Sequence, residues 1–353
     1  MEELIAPVAT ELLVAELTPK RKFQNTNKGG NELYIFDAHE APNLMREVAR
    51  LREEAFRSEG GCTGKSMDMD EFDTMEVPYK QLIVWDPDAK AIIGGYRFIL
   101  GPDIRLDDNG QPILATAHQF RFSELFINEY LPHVIELGRS FVSTGYQSSK
   151  AGSKSLFALD NLWDGITGVI MQHPDIMYLF GKVTVHPGYN EIARNLITYF
   201  MRKHFGAKTE LVTPIEPVPD TIPAELISLI FTGDDYKTDY AILKDSLHKL
   251  SSFIPPLINS YMNVSPTMQY FGFSPCPDLK GAIEGGILVC FEELYDSKKG
   301  RHVKAFLDNS IRNLKARFPH IPEDKIAENL MTRWTERRLR SMARFQDKLN
   351  QKK

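Results

Sequence analysis

A mixed α/β fold, with a central sheet flanked by helices, is predicted by three features of this sequence. Apolar runs of strand length alternate with segments whose apolar residues recur at helical spacing. Two of the strand runs are separated only by a turn, which gives the sheet an antiparallel hairpin. A chain of 353 residues that is 42% hydrophobic and 25% charged also carries enough apolar side chain for a large core.

The elements follow in order. Residues 3–16 are expected to form an amphipathic helix, and the polar, glycine-bearing "TPKRKFQNTNKGG" a loop. "NELYIFDA" reads as a strand, and "APNLMREVARLREEAF" as a helix with one apolar face. "QLIVWD" and "IIGGYRFIL", joined by the turn composition "PDAK", read as the hairpin. "HVIELGRSFV", residues 133–142, reads as a buried strand. A helix is expected over 154–173, a strand at "YLFGKVTV" and a helix over 190–205. The proline-rich "TPIEPVPDTIP" is a loop; helical "DYAILKDSLHKLSSF" then leads through "IPPLINSYMNV" to a last strand, "GILVCFEEL".

Charge is unevenly spread. From Lys298 onward 16 Lys and Arg face 6 Asp and Glu, a balance of +10, which leaves the preceding chain near −15. Residues 1–297 are therefore expected to form the main domain and 298–353 a basic helical extension. Such a tail suits an anionic partner, whether membrane surface, acidic protein or nucleic acid, and a solvated helical face is the plain alternative. Nucleic acid is the weakest of these, because no recognition motif accompanies the helix. The opening "MEELIAPVATELLVAEL" lacks the basic start and apolar run of a signal peptide, and no stretch of about 18 apolar residues exists. Three scattered cysteines make neither a disulfide framework nor a zinc site, so the cytoplasm is the default compartment.

Several candidate chemistries fail on spacing. "EGGCTGKS" nearly spells a phosphate-binding loop, but Glu59 stands where that motif needs glycine, and the segment follows a helix rather than a strand. It reads as a helix-ending turn. The nine histidines are dispersed, and no metal set is expected. Cys62 has no base near it in sequence. "DMDEFDTMEVPYKQ" crowds Asp68, Asp70, Glu71, Asp73 and Glu76 without EF-hand spacing, and Arg52 and Arg97 in flanking elements are suited to hold these carboxylates.

Glu136 and Arg139 pose the sharpest question, because charged residues in a buried strand are paired or functional. In a regular strand the two point to opposite faces, and only a bulge near Gly138 would realign them. A structural ion pair with other residues and a carboxylate facing a cleft as general base both remain open.

"TNKGGNELYIFDA", "LREEAF", "DEFDTMEVPYKQLIVWD", "IIGGYRFILG", "IELGRSFV" and "LFGKVTVHPGY", in this order, resemble the bacterial ornithine-lipid-type N-acyltransferases. More closely they resemble the glycine N-acyltransferase branch, within the GNAT superfamily and with a pattern shared by acyl-homoserine-lactone synthases. The resemblance spans about residues 20–295. It implies a GNAT-like mixed sheet and transfer of a long, 3-hydroxylated or plain acyl chain to the α-amine of glycine, which begins an aminolipid pathway. It also implies roles for residues: Glu136 as base, with Arg52, Phe56, Asp70, Asp73, Arg97 and Arg139 shaping the acyl-donor and amine sites.

The stretch "STGYQSSKAGSKSL" lacks the first glycine of the turn that holds the coenzyme A pyrophosphate in ordinary acetyltransferases. Acyl carrier protein, presenting the chain on phosphopantetheine to Lys150 and Lys154, is the expected donor, with acyl-coenzyme A as the alternative and no resident cofactor. The same reaction on ornithine or another amine, lactone closure, and a non-catalytic acyl-carrier or lipid-binding protein are the rival readings. At the C-terminus, Ile326, Leu330, Trp334, Phe345 and Leu349 recur near helical spacing among arginines. Peripheral contact with an anionic membrane and packing on the domain are equally supported for that helix.

Overall fold

The computed structural model describes residues 1–147, 157–279 and 281–351. In chain order the elements are α1 (Thr10–Glu16), β1 (Lys22–Asn25), β2 (Glu32–Phe36), α2 (Pro42–Ser58), α3 (Glu71–Thr74), β3 (Lys80–Asp86) and β4 (Ala91–Leu100). Then come β5 (Phe120–Phe122), β6 (Val134–Val142), α4 (Ala158–Gln172), β7 (Tyr178–Val185), α5 (Glu191–Phe205) and β8 (Val212–Pro214). The rest are α6 (Ala224–Ser228), α7 (Tyr236–Lys249), α8 (Pro256–Met262), β9 (Gln269–Pro275), β10 (Ile283–Cys290), α9 (Asp296–Arg317) and α10 (Glu323–Gln351). The expected α/β alternation is present.

Two compact units share the chain. One gathers Met1–Ile104, Glu129–Met177 and Asp296–Lys353; the other gathers Arg105–Asn128 and Tyr178–Tyr295. In the first, β1, β2, β3, β4 and β6 pair in that order, each antiparallel to the next. The "PDAK" turn joins β3 and β4 as a hairpin. Helix α2 lays Leu44, Met45, Val48 and Ala49 against Ile83, Trp85, Ile92 and Phe141 in a dry cluster. Helix α4 meets the opposite face, where Gly165 is needed because a Cβ there would stand 2.6 Å from Leu82. In the second unit β10 lies antiparallel between β7 and β9, and β5 pairs with β8. Lys182 and Glu284 bridge β7 and β10 at 2.7 Å.

Local physics shortens one expected element and adds others. The first helix begins at Thr10, not residue 3. Pro7 disfavours helical backbone at the residue before it. The preceding segment instead runs extended, with Glu2 and Ile5 N–H bonded to the carbonyls of Gly64 and Ser66. The expected loop after α1 contains β1, a polar edge strand whose Gln24 side chain is buried and donates to the Asp164 carbonyl at 3.1 Å. An unforeseen β9 pairs with β10, and β10 ends at Cys290.

The basic C-terminal helices are stitched to the first unit. On α9, His302 bonds Asp164 at 2.7 Å, Arg301 pairs with Asp160 at 2.5 Å, and Asn309 exchanges two hydrogen bonds with the Asn25 backbone. On α10, Arg338 donates to the carbonyls of Pro174 and Ile176. Phe345 packs edge-on against Tyr130 and His133, with ring centroids 5.2 and 5.4 Å apart. Ile326 and Phe345 are buried, and Leu330, Trp334 and Leu349 are half-buried. The apolar stripe thus turns inward. No described helix is long and apolar enough to cross a membrane.

Phe345→Ala should therefore destabilise the chain by about 3–5 kcal/mol, the usual cost of emptying a buried aromatic site. Urea unfolding measures it. An unchanged midpoint would mean that α10 is only loosely attached.

Candidate active site

Three adjacent strands build the site. Gln81 on β3 stands opposite Arg97 on β4, which stands opposite Gly138 on β6; Ile99 faces Glu136. Between these pairs and the next, Gly95 with Phe141, the register slips, and β6 holds one residue more than β4. Arg139 adopts a left-handed backbone there, with φ of 49°. Gly94 permits the close approach, since a Cβ on it would lie 2.5 Å from the Phe141 carbonyl oxygen. This bulge overturns strict alternation. Arg139 and Arg97 both reach Asp70, so Arg139 shares the face that carries Arg97, Glu136 and Gln81.

The acidic segment before β3 is sorted by a capping box. Asp70 accepts the N–H groups of Phe72 and Asp73, while Asp73 accepts the N–H of Asp70 at 3.2 Å. That turn aims Asp68, Asp70 and Asp73 inward and leaves Glu71 and Glu76 exposed. Arg52, fully buried on α2, donates to Asp73 at 2.7 Å and to the Asp68 carbonyl. Arg97 grips both oxygens of Asp70 at 2.7 and 2.8 Å and lies 3.4 Å from Asp73. Arg139 sits 3.0 Å from Asp68 and 3.4 Å from Asp70. Gln81 supplies a further bond to Asp73 at 3.1 Å. Three guanidinium groups thus meet three carboxylates.

Burial by itself pushes Asp70 and Asp73 up. The charges of Arg52 and Arg97 at Asp73, and chiefly of Arg97 at Asp70, outweigh it and hold both below the ordinary carboxylate range. Arg97 is the mirror case. Burial would lower it, but Asp73 and Asp70 hold it above its usual value.

Glu136 is 2% exposed and accepts the hydroxyl hydrogen of Tyr79, which is fully buried. The Arg97 guanidinium lies over the Tyr79 ring at 5.1 Å and the Phe72 ring at 5.8 Å. Network and carboxylate are thus one continuous feature. Of the residues singled out by sequence, Glu136, Arg52, Asp70, Asp73, Arg97 and Arg139 converge here. Phe56 does not join them; it is half-buried against the apolar cluster under α2. Lys150 and Lys154 lie outside the described residues.

Tyr79 and Gln81 escaped the sequence reading. Counting back by two from Gln81 along β3 would have placed Tyr79 on the same face. The near-phosphate loop is a turn, as expected, and is filled from within. Glu53 accepts the N–H groups of Thr63 and Gly64 at 3.1 and 3.0 Å. Among the described residues no cluster of His, Cys, Asp and Glu is arranged to hold a metal ion.

Residues 51–156, which contain all six converging side chains, match a family described as "Acetyltransferase (GNAT) domain". Fold and site thus define a GNAT acyltransferase that forms an amide. The chain is 52% identical to a glycine N(alpha)-acyltransferase of Bacteroides thetaiotaomicron, over 89% of this chain and 94% of that protein. It is 48% identical to a protein of the same name from Phocaeicola vulgatus, over 87% and 94%. It belongs to the glycine N(alpha)-acyltransferase family. A solved CoA-dependent acyl-homoserine lactone synthase with isopentyl-CoA overlaps 44% of this chain and 68% of its own, at 14% identity and a TM-score of 0.28.

Asp73→Asn should cost about 3–5 kcal/mol, because Arg52 and Arg97 lose a buried counter-charge. Asp70 and Asp73 ionise more readily folded than unfolded. Their stabilisation is complete above the unfolded value near 4 and is lost as pH falls toward the folded values. The variant should therefore also show a shallower loss of stability in acid. Urea midpoints at neutral and acid pH test both points, and equal midpoints for the two proteins at neutral pH would refute them.

Proposed function

We propose that the chain transfers a long, plain or 3-hydroxylated fatty acyl group from acyl carrier protein to the α-amine of glycine. The product is an N-acyl amino acid that starts an aminolipid pathway in the cytoplasm. One observation carries the mechanism: a buried carboxylate, Glu136, on the bulged strand, hydrogen-bonded by the Tyr79 hydroxyl beside the Arg–Asp network. The relatives' name supports the choice of glycine.

An ammonium group has no lone pair and cannot attack a thioester. Glu136 takes a proton from the incoming amine, directly or through a water, and the freed nitrogen adds to the thioester carbonyl. The C–N bond forms, and backbone N–H groups of β6 stabilise the oxyanion. The nitrogen, positive after addition, gives up its second proton to the sulfur as the C–S bond breaks, so the carrier leaves as its thiol, and Glu136 releases the first proton to solvent. No covalent acyl-enzyme is needed.

Glu136→Gln keeps shape and hydrogen-bonding capacity but removes the basic lone pair. Transfer from acyl carrier protein to glycine should fall about 10²- to 10⁴-fold with an unchanged urea midpoint. Mass spectrometry of the N-acyl product reads the rate. Full turnover at saturating donor would move the base elsewhere. Loss of folding would make Glu136 a structural ion-pair partner instead.

A further inference from the structure

Helix α10 carries a ridge of positive charge. Arg333, Arg337, Arg340, Arg344 and Lys348 are all exposed. Their spacings of four, three, four and four residues place them on one face. The ridge is about 22 Å long at 1.5 Å per residue. Two of its members have only loose acidic neighbours: Arg340 with Glu336 at 3.8 Å and Arg344 with Asp175 at 3.5 Å.

The helix that carries the ridge also packs at the start of β6. Phe345, next to Arg344, packs on His133, three residues before Glu136 on the chain, or about 10 Å along a strand. Lys80, exposed and adjacent to Tyr79, adds to the same end of the sheet. After burial, Lys80 and Arg337 hold His173 below its usual range against the pull of Asp103 and Asp175.

We propose that this ridge is the docking surface for the acidic protein that carries the acyl thioester. The inference rests on acyl carrier protein being the donor and adds where it binds. Charge complementarity selects the partner: a +10 tail on a body near −15 steers an acidic protein to this face and away from the rest. A bilayer is the poorer fit. Membrane-surface helices insert an apolar face, and here Ile326 and Phe345 are buried in the domain.

The test compares donors using the full chain with Arg333→Glu, Arg337→Glu and Arg340→Glu combined. With acyl carrier protein, kcat/KM should fall about tenfold or more at low salt, through KM, and lose most of its salt dependence. With acyl-pantetheine, which lacks the protein, turnover should match wild type. If the triple variant folds poorly, a salt titration of the wild type with both donors gives the same split without mutation. A wild type that uses acyl carrier protein with a variant that uses it equally well overturns the surface alone. A wild type active with acyl-coenzyme A and inactive with acyl carrier protein overturns the donor assignment and this inference with it. Ridge-dependent binding to phosphatidylglycerol vesicles, with carrier kinetics unaltered by the variant, assigns the ridge to lipid and also overturns it.

Discussion

The buried lattice of Arg52, Arg97 and Arg139 with Asp68, Asp70 and Asp73 is the constraint on which the rest of the site depends. It joins four separate parts of the chain: helix α2, the capped turn before β3, and the neighbouring strands β4 and β6. Replacing such a lattice with apolar side chains often costs a fold nothing, whereas removing one member strands a charge in the core. Stability alone is therefore a weak reason for it. Its effect here is positional: the Arg97 guanidinium, locked to its aspartates, lies over the ring of Tyr79, whose hydroxyl donates to Glu136.

The bulge in β6 makes the arrangement possible. Without the extra residue, Arg139 would point to the α4 side, and Asp68 would lose its partner at 3.0 Å. A left-handed arginine is a costly backbone state, and its ion pairs and the glycine at position 94 are what accommodate it. Strain, charge pairing and the placement of a carboxylate thus belong to one device.

Much of this was legible in the sequence, for physical reasons that differ by element. The β3–β4 hairpin and helix α2 announce themselves because one face of each is apolar and the period is regular. Edge strand β1 does not, since "KFQN" is held by backbone pairing and the buried Gln24 amide rather than by an apolar face. Arg52, Asp70, Asp73, Arg97, Glu136 and Arg139 could be named because charge is rare in such surroundings. Alternation alone put Glu136 and Arg139 on opposite faces, and a bulge near Gly138 was the alternative it left open; the extra residue in β6 places both on one face. Tyr79 stayed hidden because a tyrosine after a proline reads as ordinary loop. The basic tail was ambiguous for another reason: an amphipathic stripe looks the same whether it meets lipid or the protein's own core.

The central claim is that Glu136 is the base and that Tyr79 sets its readiness to accept a proton. The most direct measurement is the pH dependence of kcat/KM for wild type and Tyr79→Phe. The tyrosine hydroxyl donates to the charged carboxylate and favours it, so removing the hydroxyl should shift the acid limb to higher pH, with activity recovering in more alkaline buffer. A limb that stays in place, with activity lowered by one factor at every pH, would contradict the account.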